Sequence, residues 1–209
     1  ITQMRPRLLR ALGEFGSDES TRKNAVRLTD KYFADPESVS PDLALEAMRV
    51  TSMNDDGAKY KQYREAYLGS TSETQKSGIL SAIYFDNPKV VQQHLDFSIS
   101  PAVPAGDAAK GVAMYGAVLD NQAALYDWLE KNLDAFEAKI PAYYHARLPE
   151  LAAGSCSAAN LQLLEEFFGP RGEKYAESLE RAVETEESCI ERRERHAADL
   201  QKFLESYSR

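Results

Sequence analysis

Residues 54–83, NDDGAKYKQYREAYLGSTSETQKSGILSAI, decide the fold class. Asn54-Asp55-Asp56-Gly57 is a turn cluster, because short polar side chains that bond their own backbone compete with regular structure. Behind it Tyr60, Tyr63, Ala66 and Tyr67 recur at three and four residues, the period of one helical face. Ser72 and Glu73 open a second helix, whose apolar face is Ile79, Ala82 and Ile83. Asp86-Asn87-Pro88 then opens the next, with proline where a first-turn N–H would go unused anyway. Turn, helix, turn, helix is one unit, and 32 positions separate its opening Asp55 from Asn87, where the next unit begins.

The same grammar runs outward in both directions. Toward the amino end, Leu8, Leu9, Leu12 and Phe15 form one stripe, and Ala25, Val26, Leu28, Thr29 and Phe33 form another. Leu43, Ala47, Val50 and Met53 follow Ser40-Pro41, which suits an N-cap and the first helical position. Toward the carboxyl end come Val91, His94, Leu95 and Ile99, then Val112, Tyr115 and Leu119. Leu125, Trp128, Leu129, Leu133 and Phe136 make a wide face, and Leu161, Leu164 and Phe168 a short one before the Gly169-Pro170 stop. Turn residues Asp18, Asp55, Asn87, Asn121 and Ser155 are separated by 37, 32, 34 and 34 positions, with two helical stripes in each interval. One helical hairpin cannot cover its own apolar face, so hairpins of this length stack. No alternating run supports a strand. The expected fold is all-α: an α–α superhelix of HEAT/armadillo-like stacked helical hairpins, one curved solenoid over residues 1–209.

Two segments need separate reading. Residues 101–106, Pro-Ala-Val-Pro-Ala-Gly, are the clear non-helical stretch and read as a loop within the solenoid. It is too short and apolar for a flexible tether. From Glu173 to Tyr207, Leu179, Val183, Ile190, Ala197, Leu200, Leu204 and Tyr207 keep a helical face, interrupted by Glu186 and Arg193. That pattern predicts a long terminal helix, broken near Arg193, that shields the last repeat. Glu186-Glu187 and Arg192-Arg193 read as solvated charges or helix pairs, as do Glu130 and Lys131.

Composition excludes several functions. With 25 Lys+Arg against 33 Asp+Glu the formal net charge is −8, which supplies no basic surface for a nucleic acid backbone. No run approaches ~18 apolar residues, so no membrane span is expected, and the chain reads as soluble, with its compartment left open. The first twenty residues hold Arg5, Arg7 and Arg10 but no apolar core of a signal peptide. The chain opens at Ile1 and not at Met, which predicts a piece of a longer polypeptide. Cys156 and Cys189 stand alone, 33 residues apart, and read as two idle thiols; a bridge between them stays open, since only Cα geometry decides it.

Catalytic chemistry is sparse. His94, His145 and His196 have no second His or Glu at zincin spacing, so no zinc site is expected within this chain. Neither a Gly-x-Ser-x-Gly elbow nor a Gly-x-x-x-x-Gly-Lys-[Ser/Thr] loop occurs, and Gly154-Ser155-Cys156-Ser157 reads as a helix-capping turn. His94 and Trp128 sit on apolar stripes and read as core; Gly111 and Gly116 read as close-packing positions. The cluster that stands out is Tyr143, Tyr144, His145 and Arg147 after Pro141. Rings beside a guanidinium can hold a peptide or a carboxylate.

The chain also resembles a known module. Ile83-Tyr-Phe-Asp-Asn-Pro-Lys-Val-Val-Gln-Gln-His-Leu-Asp-Phe-Ser-Ile-Ser100 is similar to the "Asp-Pro…Leu…Leu-Asp-Ala-Leu" helix of zinc aminopeptidases of the aminopeptidase N and endoplasmic reticulum aminopeptidase type. Tyr126-Asp-Trp-Leu-Glu-Lys-Asn-Leu-Asp134 resembles that family's "Trp-x-Phe-x-x-x-Asn-Trp" helix, and Glu165-Glu-Phe-Phe168 its "Val-Glu-x-Phe-Phe" segment. Arg7-Leu-Leu-Arg…Gly-Glu-Phe-Gly-Ser-Asp18 and Ile190 to Leu204 resemble the start and the end of its C-terminal helical domain. The resemblance implies that residues 1–209 are a non-catalytic cap over an upstream domain. That domain would carry the zinc, its His-Glu-x-x-His helix and a Gly-x-Met-Glu-Asn strand. The implied partners are that catalytic domain and peptide substrates, with Tyr143, Tyr144, His145 and Arg147 as candidate peptide contacts and no cofactor in this chain. A free-standing α-solenoid adaptor for a partner protein or peptide is the alternative, separated from the first reading by what the gene encodes upstream.

Overall fold

A computed structural model of the chain describes residues 4–117 and 122–207. Leu119 and Asn121, assigned above to a helical face and a turn, lie outside the described residues. Among the described residues there are eleven α-helices and no strand. The chain divides into two compact units, residues 1–114 and 115–209, with the boundary inside one helix.

Unit 1 begins with α1 (Met4–Arg10), continued by a π-helical turn (Ala11–Phe15), and α2 (Glu19–Ala34) and α3 (Pro41–Met53) follow. Asp18 caps α2, accepting the Thr21 N–H at 2.7 Å. Ser40 is the N-cap of α3 in position only, since its side chain makes no capping bond. α1 packs against α3, and in the π-helical turn that follows a Cβ at Gly13 would fall 2.5 Å from Val50 Cγ1, so only glycine permits that approach. α4 (Tyr60–Gly69), α5 (Glu73–Leu80), α6 (Pro88–Ser98) and α7 (Ala105–Gly116) complete the hairpin series. Asp55 accepts the Gly57 and Lys59 N–H groups, Ser72 caps α5 and Asn87 caps α6, so the turn residues do the work their types imply.

A chain of aromatic rings packed edge to face joins these hairpins. Phe33 meets Tyr63 at 5.0 Å, Tyr63 meets Phe85 at 5.2 Å, and Tyr60 meets Phe85 and His94 at 5.9 and 6.0 Å. Such pairs add about 0.5–1.5 kcal/mol each beyond area burial. The Tyr63 hydroxyl donates to the Met48 carbonyl at 2.6 Å, which gives a core phenol a partner. His94 is core, as its stripe predicts, and burial holds its imidazole neutral with a pKa of about 3.

The segment at 101–106 is shorter as a loop than the sequence reading had it. Ala105 and Gly106 belong to α7, because the Pro104 carbonyl already accepts from the Asp107 and Ala108 N–H groups, and Val103 is buried.

Unit 2 contains α8 (Gln122–Lys139), a 3₁₀ turn (Ala142–Arg147), α9 (Leu148–Ala152), α10 (Ala158–Phe168) and α11 (Glu173–Tyr207). Trp128 packs edge-on to Phe136 at 5.8 Å, and Tyr126, Phe167, Phe168 and Tyr175 form a second aromatic group. A Cβ on Gly116 would lie 2.7 Å from the Ala152 backbone, the close approach expected of that glycine. α11 runs unbroken through Arg193, contrary to the break expected there. An exposed arginine on a helix surface keeps its charge in water and costs the helix little. Among the described residues no helix is long and apolar enough to cross a membrane.

Candidate functional site

Pro141 follows the buried Ile140, one residue past α8, and turns the backbone into the 3₁₀ segment. Leu148 and Pro149, both buried, seat that segment from its other end. With three residues per turn, Tyr144 and Arg147 share one edge of it. Tyr143 is 64% exposed and its ring lies 4.2 Å from that of Tyr144, so the two make an aromatic platform on the surface. Tyr144 also holds the Tyr143 phenol above its ordinary pKa through a hydrogen bond.

His145 and Arg147 are more occupied than their sequence suggests. His145 Nε2 lies 3.3 Å from the Ile140 carbonyl, and since a carbonyl only accepts, the ring proton sits there. Arg147 donates from Nε and Nη2 to Glu150 Oε2 at 3.2 and 2.8 Å, and Arg181 donates from Nε to Glu150 Oε1 at 2.8 Å. The Arg147 hydrogen bond, then Arg181, hold the Glu150 carboxyl below the usual carboxylate range. Glu177 takes a second Arg181 nitrogen. The surface therefore presents two rings and two carboxylate-oriented guanidiniums, an arrangement that can grip an extended peptide by stacking and by its carbonyls. The structure brings Tyr143 and Tyr144 together and turns His145 back to its own backbone.

A second arrangement nearby was not legible as a site. Glu186 is fully buried, not solvated as its neighbours in sequence led one to expect. Its Oε1 accepts from the Gly154 N–H at 2.6 Å, the Ser155 N–H at 3.0 Å, the Ser155 hydroxyl at 3.3 Å and Asn160 Nδ2 at 3.0 Å. The loop can aim successive N–H groups at one oxygen because Gly154 and Cys156 adopt φ of +117° and +54°. Three residues along α11, Cys189 bonds Cys156 in a disulfide with a Cα–Cα distance of 5.1 Å. Ser157 then caps α10, as the capping reading of this turn required. The one advance signal of the latch was an acid in the middle of an apolar stripe. The two cysteines are paired, not idle.

Closing a loop of 33 residues stabilises by roughly 3–4 kcal/mol in the chain-entropy account. Reduction, or Cys156→Ser with Cys189→Ser, is therefore expected to lower unit 2's unfolding free energy by about that amount. Urea unfolding followed by Trp128 fluorescence reads it, since Trp128 is the sole tryptophan and lies in unit 2. An unchanged midpoint would contradict the assignment.

Among the described residues, no three His, Cys, Asp or Glu side chains gather so as to hold a metal ion. Residues 1–188 match the family described as ERAP1-like C-terminal domain. The chain belongs to that family. An ERAP1-like C-terminal domain is a domain of an aminopeptidase, and the match takes in the Tyr143–Arg147 turn, Glu186 and Cys156, ending one residue before Cys189. A search of curated proteins finds no match to this ERAP1-like domain.

Proposed function

We propose that this ERAP1-like domain is the non-catalytic cap of a zinc aminopeptidase, closing over the active-site cavity, restricting entry to peptides and helping to bind them. Membership of the family over residues 1–188 carries the reading. The exposed Tyr143–Tyr144 platform beside Arg147 supports the peptide-binding part of it. The zinc and the groups that act on the scissile bond lie in an upstream domain; this chain's part is to hold the distal portion of the peptide and exclude bulk solvent.

The test uses the parent enzyme. A ten-residue extended peptide reaches ~33 Å, far enough to leave a catalytic pocket, whereas a single aminoacyl amide does not. Arg147→Ala and Tyr143→Ala are each expected to lower kcat/KM for the long peptide by about 5–10-fold, the scale of a solvent-accessible anchor contact. The aminoacyl amide should change by less than about 2-fold. Equal losses on both substrates remove these residues from the peptide site. Aminopeptidase turnover by residues 1–209 alone, with zinc supplied, would end the cap reading.

A further inference from the structure

An open groove crosses unit 1. Its wider stretch, about 510 Å³, is lined from α2 and α4, with Phe33 and Ala66 as apolar wall. Its narrower stretch, about 330 Å³, is lined from α3 and α5, with Leu45 and Met48 as apolar wall. Pro36 and Gln75 line both, so the two stretches meet there.

The charge in this groove has one sign. Asp30 and Glu65 line the wider stretch, Glu37 and Asp42 the narrower one, and no lysine or arginine lines either. Unit 1 as a whole holds fourteen Lys+Arg against fifteen Asp+Glu, so the separation is a property of the groove and not of the unit's composition. Lys59 reaches Asp30 at 2.7 Å, but it shares Oδ1 with Gln62 and leaves Oδ2 unbonded. Lys61 stands 3.6 Å from Glu65 in an exposed pair of the kind that contributes little. Among the described residues Glu37 and Asp42 form no ion pair. α2 and α4 both end at the groove, at Ala34 and Gly69, and the carboxyl end of a helix is partially negative.

Three more groups are left for an occupant. Tyr32 lines the narrower stretch, is 7% exposed, and its hydroxyl makes no hydrogen bond among the described residues. Gln75 gives Oε1 to the Ser70 hydroxyl and keeps its amide N–H groups unbonded. Gly78 stands inside α5, where glycine is a poor helix former, yet a Cβ there would meet nothing within 4 Å. Packing does not require that glycine; its missing side chain leaves the groove open.

We propose that this groove binds an extended basic peptide. Arginine or lysine side chains pair with Glu37, Asp42 and the free oxygen of Asp30, apolar side chains lie on the wall of Phe33 and Leu45, and the peptide backbone bonds Gln75 and Tyr32. An extended chain sends alternate side chains to opposite sides, so basic residues alternating with apolar ones serve both the carboxylates and the wall. The groove belongs to unit 1 alone, and the proposal does not rest on the cap reading.

The test is fluorescence anisotropy of a fluorescein-labelled octapeptide of alternating arginine and leucine, titrated with the full chain. The expected Kd is about 10–100 µM, the range of a few charge-assisted contacts on an open surface. The same peptide with glutamate for arginine should bind at least ~10-fold more weakly. Glu37→Gln with Asp42→Asn, two exposed sites, should weaken the arginine peptide by about 10-fold. Gly78→Leu fills the narrower stretch with a better helix former and should also cost about 10-fold, with a urea midpoint no lower than the wild type's. No binding up to about 500 µM overturns the proposal. So does equal binding of the glutamate peptide. Binding indifferent to both variants overturns it as well, since general attraction to a chain of net charge −8 would then account for it.

Discussion

Glu186→Ala is expected to destabilise unit 2 by about 3–5 kcal/mol, because it strips one acceptor from four donors at once. The Gly154 and Ser155 N–H groups, the Ser155 hydroxyl and Asn160 Nδ2 all converge on Oε1. A buried donor left without a partner costs ~1–3 kcal/mol, and partial relaxation of the loop keeps the total below the simple sum. Glu186→Gln keeps an acceptor oxygen and the shape, and is expected to cost less than about 1.5 kcal/mol. Urea unfolding read by Trp128 fluorescence compares the two. If alanine and glutamine cost the same, the converging donors are not what makes this residue matter. The disulfide three residues away does not replace the latch. It ties Cys156 to α11 but gives no partner to the N–H groups of Gly154 and Ser155.

Acidification is expected to unfold unit 1 through His94. Burial lowers the imidazole's pKa from 6.5 to about 3 in the folded state, so the folded side chain stays neutral where the unfolded one takes a proton. The unfolded state then binds more protons between those values. The stability owed to the neutral ring is complete above ~6.5 and is lost as pH falls toward 3, by up to ~1.4 kcal/mol per pH unit and ~4 kcal/mol by pH 3.5. Urea titrations at a series of pH values, followed by circular dichroism, should show that slope. His94→Gln should flatten it, whatever the substitution does to the stability at neutral pH. A variant with the same slope as the wild type would assign the acid sensitivity to other groups. The T-shaped contact of the ring with Tyr60, 6.0 Å between centroids, keeps the imidazole within the aromatic core.

Most of the fold was legible because it is local. Asp18, Ser72 and Asn87 cap helices through bonds that span two or three residues, so their identity alone announces where a helix begins. Three-and-four spacing predicted buried positions such as Tyr63, Ile79 and Leu125. It failed on the first stripe, where Leu9 is buried but Leu8, Leu12 and Phe15 remain exposed. An apolar stripe states that a face seeks cover, not whether this chain supplies it. The aromatic and cationic turn was found by residue type, yet the pairing of Arg147 with Glu150, and of Glu150 with Arg181, needed α11 beside it.

What the sequence by itself determined is the helical hairpin as a repeating unit, the turns that separate the units, and the family the chain belongs to. These rest on neighbours along the chain, where period and capping chemistry act over a few residues. Only the tertiary structure decided that Glu186 is a buried latch, that Cys156 and Cys189 are joined, and that half of α11 stands in water. Each depends on which segment lies alongside another thirty residues away, and a side chain's type does not encode that distance.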